Sequence, residues 1–217
     1  MKSISQIVIL CGGYGKRLKK ISKKQPKALI KIKKKPFLYW VLKNLEKKGL
    51  KKVVLCTGYK SKEIKDFISK NRERFKFSID ISSENPKKLL GTGGAVKKIY
   101  KKLENYFYLM YGDTFLHLNL GKIVKAYKNS NKPILMTIIK NFDKRHKNNI
   151  SLKKKYLIYD KNSKEKMEYL DYGIMIFKKK IFKTVNKKSF DLSELLKSQS
   201  IKKNISYYIK RKTFFEI

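Results

Sequence analysis

Glycines and basic side chains cluster near the start of the chain, directly after a short apolar run. The members of this cluster are Gly12, Gly13, Gly15, Lys16, Arg17 and Lys27. Glycines permit positive φ angles and let backbone N–H groups approach an anion, because no Cβ stands in the way. The lysine ammonium groups and the planar arginine guanidinium add positive charge at the same place. The pattern therefore predicts a turn that binds a polyphosphate.

Two common phosphate-binding motifs do not fit this turn. A Walker A loop needs glycine at the place of Leu10 and serine or threonine at the place of Arg17. The dinucleotide-binding fingerprint needs a third glycine at the place of Leu18. On residue chemistry alone, a tight turn beside solvated lysines remains the alternative interpretation.

A longer string around the turn carries more information. It reads L-C-G-G-Y-G-K-R-L over residues 10–18 and continues with P-K-A-L over residues 26–29. The two parts resemble the signature of sugar-1-phosphate nucleotidylyltransferases, usually L-A-G-G-x-G-T-R-L followed by P-K-P/A-L. The departures from that signature are Cys11 in place of alanine and Lys16 in place of threonine.

This resemblance implies a division of roles within the turn. The nucleotide-binding residues would be Leu10, Gly12, Gly13, Gly15 and Lys16. Arg17 would hold the triphosphate, and Lys27 would bridge the phosphates near the reacting α-phosphorus. Both are therefore expected to be catalytic residues.

A second glycine-rich stretch, L-G-T-G-G-A over residues 90–95, precedes a predicted helix. Glycines there can let a flat base approach closely, although a loop and helix start without a ligand is the alternative. In the family that the chain resembles, this stretch lines the nucleobase pocket. The resemblance thus implies nucleotide-binding roles for Gly91, Thr92 and Gly93.

Asp113 follows Tyr111 and Gly112 at the end of a predicted strand. Ligands of α/β sheets bind at the carboxyl ends of strands, and a carboxylate there can hold Mg²⁺ against phosphate oxygens. An ordinary turn at a strand end is the alternative. In the family the corresponding Gly-Asp pair binds the metal, so the resemblance implies that Asp113 is catalytic and carries Mg²⁺.

Two later stretches resemble the family's sugar-binding motifs. Asp160 and Lys161 resemble a Glu-Lys pair, with aspartate in place of glutamate. Residues 170–174 resemble N-A-G-I-Y, with Asp171 in place of the asparagine and Tyr172 in place of the alanine. The resemblance implies that Lys161, Asp171 and Gly173 bind the sugar phosphate and the sugar. The alternative for Lys161 is one surface lysine among many.

The last residues, T-F-F-E-I over 213–217, resemble the family's (F/W)-x-D-I/V-G-T-P, which supplies a second metal carboxylate. The resemblance implies that Glu216 is this second ligand, with glutamate in place of aspartate. No Gly-Thr-Pro follows in the sequence, so we expect the family's closing helix to be missing.

Lysine dominates the charge of the chain. Its 217 residues include 56 Lys and Arg against 16 Asp and Glu, which gives a formal net charge of +40. Nucleic-acid binders concentrate their charge and use arginine, whereas these lysines spread over nearly every predicted helix and loop. We expect most of them on solvated faces, with non-specific polyanion affinity as a side effect. A specific nucleic-acid partner is not expected.

Cys11 and Cys56 each lie beside an apolar strand run, which predicts buried free thiols in a reducing compartment, with a disulfide between them as the alternative. No signal peptide or membrane-spanning segment is recognisable, because the apolar runs are far too short. We therefore expect a cytoplasmic protein that does not bind a membrane.

Strand-like apolar runs alternate with helical spacing along most of the chain. The predicted strands are 7–11, 53–57, 77–81, 106–111 and 134–139, and the predicted helices lie around 37–45, 61–68, 96–103 and 123–127. This alternation predicts an α/β fold, a Rossmann-like three-layer α/β/α sandwich with a mostly parallel sheet, similar to the glycosyltransferase-A fold.

The pattern loosens after residue 140. Short strands at 156–159, 174–177 and 206–209 and a helix at 192–198 predict a small antiparallel lobe. We expect one domain over residues 1–217, divided into a nucleotide-binding lobe (1–140) and a sugar-binding lobe (141–217).

The resemblance implies an enzyme that transfers a nucleotidyl group from an NTP to a sugar 1-phosphate. The G-T-G-G-A and Asp-Tyr-Gly forms resemble the branch that makes nucleotide-activated mannose or heptose for surface polysaccharide. GTP is therefore the favoured nucleotide, CTP and UTP stay open, and so does a homo-oligomer. Two alternatives remain: an inactive relative that serves as a binding or regulatory subunit, and an RNA-binding basic protein.

Overall fold

The computed structural model describes residues 3–13, 25–141, 147–211 and 214–217. The α-helices in these ranges are α1 (Phe37–Glu46), α2 (Ser61–Asn71), α3 (Gly91–Lys98), α4 (Leu120–Lys128) and α5 (Leu192–Ile201). Short 3₁₀ helices lie at Lys27–Leu29, Arg72–Arg74, Tyr100–Lys102 and Lys179–Thr184. None of the helices described in these ranges is long and apolar enough to cross a bilayer.

The strands are numbered β1 to β13 in chain order. They are β1 (Gln6–Leu10), β2 (Lys31–Ile32), β3 (Lys35–Pro36), β4 (Lys52–Thr57), β5 (Ser78–Ser83), β6 (Tyr106–Tyr111), β7 (Thr114–Phe115), β8 (Ile134–Lys140), β9 (Ile150–Lys153), β10 (Tyr156–Tyr159), β11 (Tyr169–Lys178), β12 (Ile205–Lys210) and β13 (Phe215–Glu216).

One large sheet holds most of these strands. Its central path runs β12, β8, β11, β6, β1, β4, β5. Neighbours along this path are parallel except at β11, which runs antiparallel to both β6 and β8. The predicted mostly parallel sheet is therefore confirmed.

Alternate side chains of the central strands face two separate hydrophobic cores. On β1, Ile7 and Ile9 face one core and Val8 faces the other. Helices α1, α2 and α4 cover the first core, and α3 and α5 cover the second. Because both faces of the sheet are buried, its central strands are apolar over most of their length. The predicted three-layer sandwich is confirmed.

The antiparallel part is smaller than the sequence pattern indicates. The predicted strand 174–177 is the end of β11, which pairs with β6 inside the main sheet. The predicted strand 206–209 belongs to β12, which pairs in parallel with β8. What lies outside the central path is the β9–β10 hairpin, joined to the start of β11 through Tyr169 and Ile150. Pairing between distant strands decides these positions, and local periodicity does not encode it.

One helix boundary and one strand also differ from the sequence expectation. Helix α3 begins at Gly91, so the glycine-rich stretch forms the start of the helix and not a loop before it. Periodicity does not identify β9, which forms because it pairs with β10. Gly49, directly after α1 and its following turn, has a φ of 74°, which favours glycine there.

Candidate active site

The carboxyl ends of β1, β4 and β6 meet at one edge of the sheet. Backbone hydrogen bonds continue past the strand ends there: Cys11 N–H donates to Cys56 O at 2.8 Å, and Gly112 N–H donates to Leu10 O at 3.0 Å. These bonds hold the turns that follow the strands close together. This is the edge at which parallel α/β sheets bind ligands.

A cavity of about 340 Å³ opens at this edge, and we call it the first cavity. Five of the predicted nucleotide-binding residues line it: Leu10, Gly12, Gly13, Gly91 and Thr92. Lys27 and Asp113 line it as well. The fold therefore brings the glycine turn, the G-T-G-G stretch and two predicted catalytic side chains to one place.

Three predicted residues of the glycine turn, Gly15, Lys16 and Arg17, lie outside the described residues. Their roles in holding a triphosphate stay predictions. Packing explains the glycine at position 12, because a Cβ added to Gly12 would lie 3.2 Å from the backbone nitrogen of Gly58.

The two thiols beside the first cavity are poor nucleophiles. Cys11 and Cys56 are both free, as predicted; Cys56 is buried and Cys11 partly buried. Burial raises the pKa of the Cys11 thiol far above its ordinary value. Burial, with the negative charge of Glu84, raises the pKa of Cys56 to about 12. Both thiols stay protonated at neutral pH and line the first cavity as weakly polar groups.

Lys27 lies between two carboxylates. Its Nζ is 2.9 Å from Asp113 Oδ2 and 3.7 Å from Glu216 Oε1. The Lys27 side chain is only 13% exposed, so water screens these charges weakly. Pro26 precedes the short 3₁₀ helix that begins at Lys27 and restricts the backbone there. The Pro-Lys motif thus places one ammonium group within ion-pair distance of both predicted metal ligands.

The end of the chain reaches this site through a short strand pair. Strand β13 pairs with β7, which places Glu216 opposite Thr114. Ile217 N–H donates to the backbone oxygen of Asp113 at 3.1 Å, and the Thr114 hydroxyl donates to Asp113 Oδ1 at 3.2 Å. The structure brings Asp113 and Glu216 together, and their role as metal ligands stays a prediction.

Asp113 and Glu216 form a donor set that suits a hard divalent cation. Mg²⁺ prefers oxygen ligands and is usually held by one or two carboxylates together with substrate phosphates and water. In the described part of the chain, no group of three or more His, Cys, Asp or Glu side chains could hold a metal ion. Two carboxylates fit a metal whose remaining ligands are phosphate oxygens and water.

The G-T-G-G stretch is shaped by a segment from the far end of the chain. At Gly91, which has a φ of 74°, an added Cβ would lie 2.5 Å from the backbone oxygen of Phe190, and at Gly93 it would collide with the Phe190 ring. Thr92 Oγ1 accepts a hydrogen bond from Leu192 N–H at 2.8 Å. Gly91 and Thr92 still line the first cavity, whereas Gly93 packs beneath Phe190. Packing explains Gly93, whose predicted nucleotide contact stays a prediction.

A second cavity of about 520 Å³ adjoins the first and shares Tyr111 and Asp113 with it. The predicted sugar-side residues Lys161, Asp171 and Gly173 all line this second cavity. Residues that are far apart in the sequence thus line two adjoining cavities, one on each side of Asp113.

Asp171 is held firmly in the wall of the second cavity. Its Oδ1 accepts from Gly173 N–H at 2.8 Å, its Oδ2 accepts from the Tyr111 hydroxyl at 3.3 Å, and its own N–H donates to Asn149 Oδ1 at 3.1 Å. The pairing register of β11 shifts directly after Asp171, and such an irregularity changes the direction in which nearby side chains point. Burial raises the pKa of Asp171 to about 6, against these hydrogen bonds and the charge of Lys161.

Lys161 is half exposed and lies beside Asp191, with 3.9 Å between Nζ and Oδ1. Asp191 is occupied elsewhere, because it caps α5 by accepting from Ser193 N–H. A half-exposed pair of this length contributes little to stability. Lys161 therefore offers positive charge to an anion in the second cavity at small cost.

A family model described as "Nucleotidyl transferase" matches residues 6–215. The chain belongs to this family. Among curated relatives of this nucleotidyl transferase, the D-glycero-alpha-D-manno-heptose 1-phosphate guanylyltransferase of Campylobacter jejuni is 33% identical over 177 residues, 82% of this chain and 77% of that protein. The enzyme of the same name from Aneurinibacillus thermoaerophilus is 34% identical over 123 residues, 56% of this chain and about half of that protein.

Solved structures of similar shape include HddC from Yersinia pseudotuberculosis. It is 25% identical, with a TM-score of 0.83 over 99% of this nucleotidyl transferase and 94% of that chain. A second structure of HddC, complexed with GMP-PN, has a TM-score of 0.81. The inositol-1-phosphate CTP transferase from T. maritima, 15% identical with a TM-score of 0.80, shares the fold.

Sequence reasoning missed several residues that line the site of this nucleotidyl transferase. Lys147 and Asn149 line the second cavity, and Glu84 lines the first. The large number of lysines concealed Lys147, and Glu84 belongs to none of the motifs. Three glycines at a helix start indicate that a bulky neighbour packs against them, but they do not identify Phe190 as that neighbour.

Proposed function

We propose that this nucleotidyl transferase moves a nucleotidyl group from an NTP to a sugar 1-phosphate, giving an NDP-sugar and pyrophosphate. A phosphate oxygen of the sugar 1-phosphate attacks the α-phosphorus of the NTP. The new P–O bond forms as the bond to the β-phosphate oxygen breaks, and pyrophosphate leaves with that electron pair. No covalent enzyme intermediate is needed, so positioning and charge neutralisation supply most of the catalysis.

One observation carries this proposal: the two cavities meet at Asp113, with Lys27 paired to it. A nucleotide in the first cavity, with its base toward Gly91 and Thr92, would extend its phosphates toward this junction. A sugar phosphate in the second cavity would approach the same junction from the side of Lys161. The reacting phosphorus would then lie where the two cavities meet.

Lys27 offers a positive charge at this junction. Its ammonium group is held by Asp113 and Glu216, so it is oriented before the substrate binds. An oriented charge in a weakly screened site stabilises a developing negative charge more strongly than one in water does. We assign Lys27 to the α-phosphate, where negative charge accumulates during the transfer.

Asp113 and Glu216 would hold Mg²⁺ in the active complex. When bound there, the ion supplies charge neutralisation of the phosphate oxygens. The chain's own contribution is to position both carboxylates, through the β7–β13 pair and the hydrogen bond from Ile217 N–H to Asp113. Arg17, Lys16 and Gly15 complete the proposal on the triphosphate side.

The relatives favour particular substrates. The Campylobacter jejuni and Aneurinibacillus thermoaerophilus proteins are named as heptose 1-phosphate guanylyltransferases, and a relative from Yarrowia lipolytica is named a mannose-1-phosphate guanyltransferase. We therefore propose GTP as the nucleotide and a manno-configured sugar 1-phosphate as the acceptor, for surface polysaccharide synthesis. Residues 1–140 would form the nucleotide-binding lobe and residues 141–217 the sugar-binding lobe.

A pyrophosphate-release assay tests this proposal. The purified chain is incubated with Mg²⁺, each of the four NTPs, and heptose, mannose or glucose 1-phosphate. We expect pyrophosphate only when both an NTP and a sugar 1-phosphate are present, with the NDP-sugar formed in equal amount. Absence of pyrophosphate from every pair would overturn the proposed activity and favour a binding role.

A further inference from the structure

Aromatic packing helps to hold residues 214–217, which we call the tail, in the active site. The pairing of β13 with β7 covers only Phe215 and Glu216, and so short a pair is weak by itself. Phe214, directly before β13, packs its ring at right angles to that of Tyr172, with 5.7 Å between the ring centroids and 89° between the ring planes. Such perpendicular pairs are favourable. The Tyr172 ring therefore contributes to fixing the tail.

Tyr172 is a rigid support for this contact. Its side chain is fully buried, in the core that α1, α2 and α4 cover. It lies where the pairing register of β11 shifts, between Asp171 and Met175. Buried side chains are close-packed, so the ring cannot follow Phe214 if that residue moves away. An alanine, as in the motif that residues 170–174 resemble, would present no ring to Phe214.

Phe214 and Glu216 lie on one side of the extended tail. Side chains of successive strand residues point to opposite sides, so residues two apart share a side. Phe214 and Glu216 both line the second cavity, whereas Phe215 between them is 58% exposed. Packing of Phe214 on Tyr172 therefore sets how the tail is rotated about its own axis, and with it the direction of the Glu216 carboxylate.

The contact between Glu216 and Lys27 does not fix the direction of this carboxylate by itself. At 3.7 Å between Oε1 and Nζ it is an ion pair beyond hydrogen-bond distance, and such an attraction changes little when the carboxylate turns. The hydrogen bond from Ile217 N–H to Asp113 O fixes the backbone after Glu216. Packing of Phe214 fixes the backbone before it, so the two contacts hold Glu216 from both sides.

We infer that Tyr172 is a positioning residue, which packs against Phe214 and so fixes the Glu216 carboxylate where the two cavities meet. This inference rests on the proposed function, because it gives Glu216 the role of a Mg²⁺ ligand. Tyr172 acts on the balance between a docked tail, with Glu216 in the site, and an undocked tail, with that carboxylate withdrawn. Short terminal segments open locally while the rest of the fold stays intact, so loss of one aromatic contact shifts this balance.

Amide hydrogen exchange, followed by NMR, tests the inference without substrate or metal. The Ile217 amide donates to Asp113 O, so its exchange rate reports how often the tail undocks. Phe214→Ala removes the contact from the tail side and leaves the buried ring of Tyr172 in place. We expect it to speed Ile217 exchange about tenfold, as the loss of a packed aromatic contact does, and to leave the amides of β4 unchanged. An unchanged Ile217 rate would overturn the inference.

Three further variants locate the effect at Tyr172. Tyr172→Leu removes the ring from the core side and should speed Ile217 exchange to a similar degree, whereas Tyr172→Phe keeps the ring and should match the wild type. Phe215→Ala is the matched control, because it removes an equal ring from the exposed side of the tail. It should leave the exchange rate nearly unchanged. Equal rates in Phe214→Ala and Phe215→Ala would overturn the inference, and this comparison decides even if Tyr172→Leu does not fold.

The Mg²⁺ requirement is a readout that a purely structural contact would not move. We expect Phe214→Ala and Tyr172→Leu to raise the Mg²⁺ concentration for half-maximal pyrophosphate release about 3- to 10-fold, with kcat largely recovered at high Mg²⁺, since weaker support of a ligand lowers metal affinity. In a Glu216→Gln background the same changes should add nothing, because the carboxylate that they position is absent. A higher KM for the sugar 1-phosphate at an unchanged Mg²⁺ requirement would overturn the inference and make Tyr172 a contact of the acceptor.

The outcomes separate this inference from the proposed function. Faster Ile217 exchange in Phe214→Ala and Tyr172→Leu, in a chain that releases no pyrophosphate, would support the positioning of the tail and overturn the proposed reaction. Equal Ile217 exchange in all variants of a chain that makes NDP-sugars would overturn the role of Tyr172 and leave the reaction standing.

Discussion

The two cavities are built in different ways. The first is made largely of backbone and apolar side chains, which the ends of parallel strands hold in place, and its glycines lie close to neighbouring backbone at Gly12 and Gly91. The second is made of polar and charged side chains from separate segments, such as Lys147, Lys161 and Asp171. A cavity shaped by backbone constrains the sequence tightly, whereas one lined by side chains can change its ligand by substitution. If the proposed function is right, nucleotide binding is the fixed half of this site and sugar choice the adjustable half.

The largest effect is expected at the residue that both cavities share. Asp113→Asn removes one proposed metal ligand and one charge that orients Lys27, while leaving the side chain's size unchanged. We expect pyrophosphate release to fall by about 10³-fold or more, as losses of a central electrostatic group do. The measurement is steady-state turnover at saturating NTP and Mg²⁺. Asp66→Asn, on the exposed face of α2, is the control and should be silent; an active Asp113→Asn enzyme would end the metal assignment.

A second test addresses the backbone-built cavity. Gly93→Ala should destabilise the fold by about 1–3 kcal/mol, because its Cβ collides with the Phe190 ring. Chemical denaturation of the single variants and of the double variant with Phe190→Leu measures the coupling. We expect Gly93→Ala to lower the free energy of unfolding clearly less when residue 190 is leucine. An equal cost in both backgrounds would show that Phe190 is not the reason for this glycine.

Glu216→Gln should have a smaller effect than Asp113→Asn. Glu216 reaches the site from a two-residue strand, a short element that frays easily. We expect turnover to fall about tenfold at low Mg²⁺ and to recover largely at high Mg²⁺, since one weakened ligand mainly lowers metal affinity. A Mg²⁺ titration measures this; a loss that no Mg²⁺ concentration restores would place Glu216 in another role.

The smallest effect concerns Asp171 in the side-chain-built cavity. Burial raises its pKa from 3.8 to about 6, so folding favours the protonated form. The stability that this gives is complete below pH 3.8 and is lost as the pH rises through about 6. The free energy of unfolding of the wild type, measured relative to Asp171→Asn, should therefore decrease across this window. A difference that stays constant with pH would contradict the shifted pKa.

Much of this architecture could be predicted from the sequence, and the reason lies in the strands. Continuous apolar runs such as 53–57 and 106–111 identify strands buried on both faces, and the motifs at their ends mark the ligand edge. The motifs predict that Lys27, Asp113 and Glu216 share one site, and the fold brings them within ion-pair distance.

Other features could not be predicted because they depend on pairing between distant segments. The placement of β11 within the main sheet and the parallel pairing of β12 with β8 are long-range choices. The same holds for Phe190, whose packing explains Gly93 in a motif otherwise attributed to the nucleobase alone. Glu84 gave no sequence signal, since a single carboxylate after a strand is common.

In the proposed reaction the ammonium group of Lys27, held between Asp113 and Glu216 where the two cavities meet, stabilises the transferring phosphate. This role is tested by comparing the kcat for pyrophosphate release of Lys27→Ala with that of Lys31→Ala, an equal loss of charge at an exposed residue of β2. We expect Lys27→Ala to lower kcat by about 10²–10³-fold, as removal of one oriented electrostatic group does, and Lys31→Ala to be nearly silent. Small and equal effects at the two positions would contradict the claim.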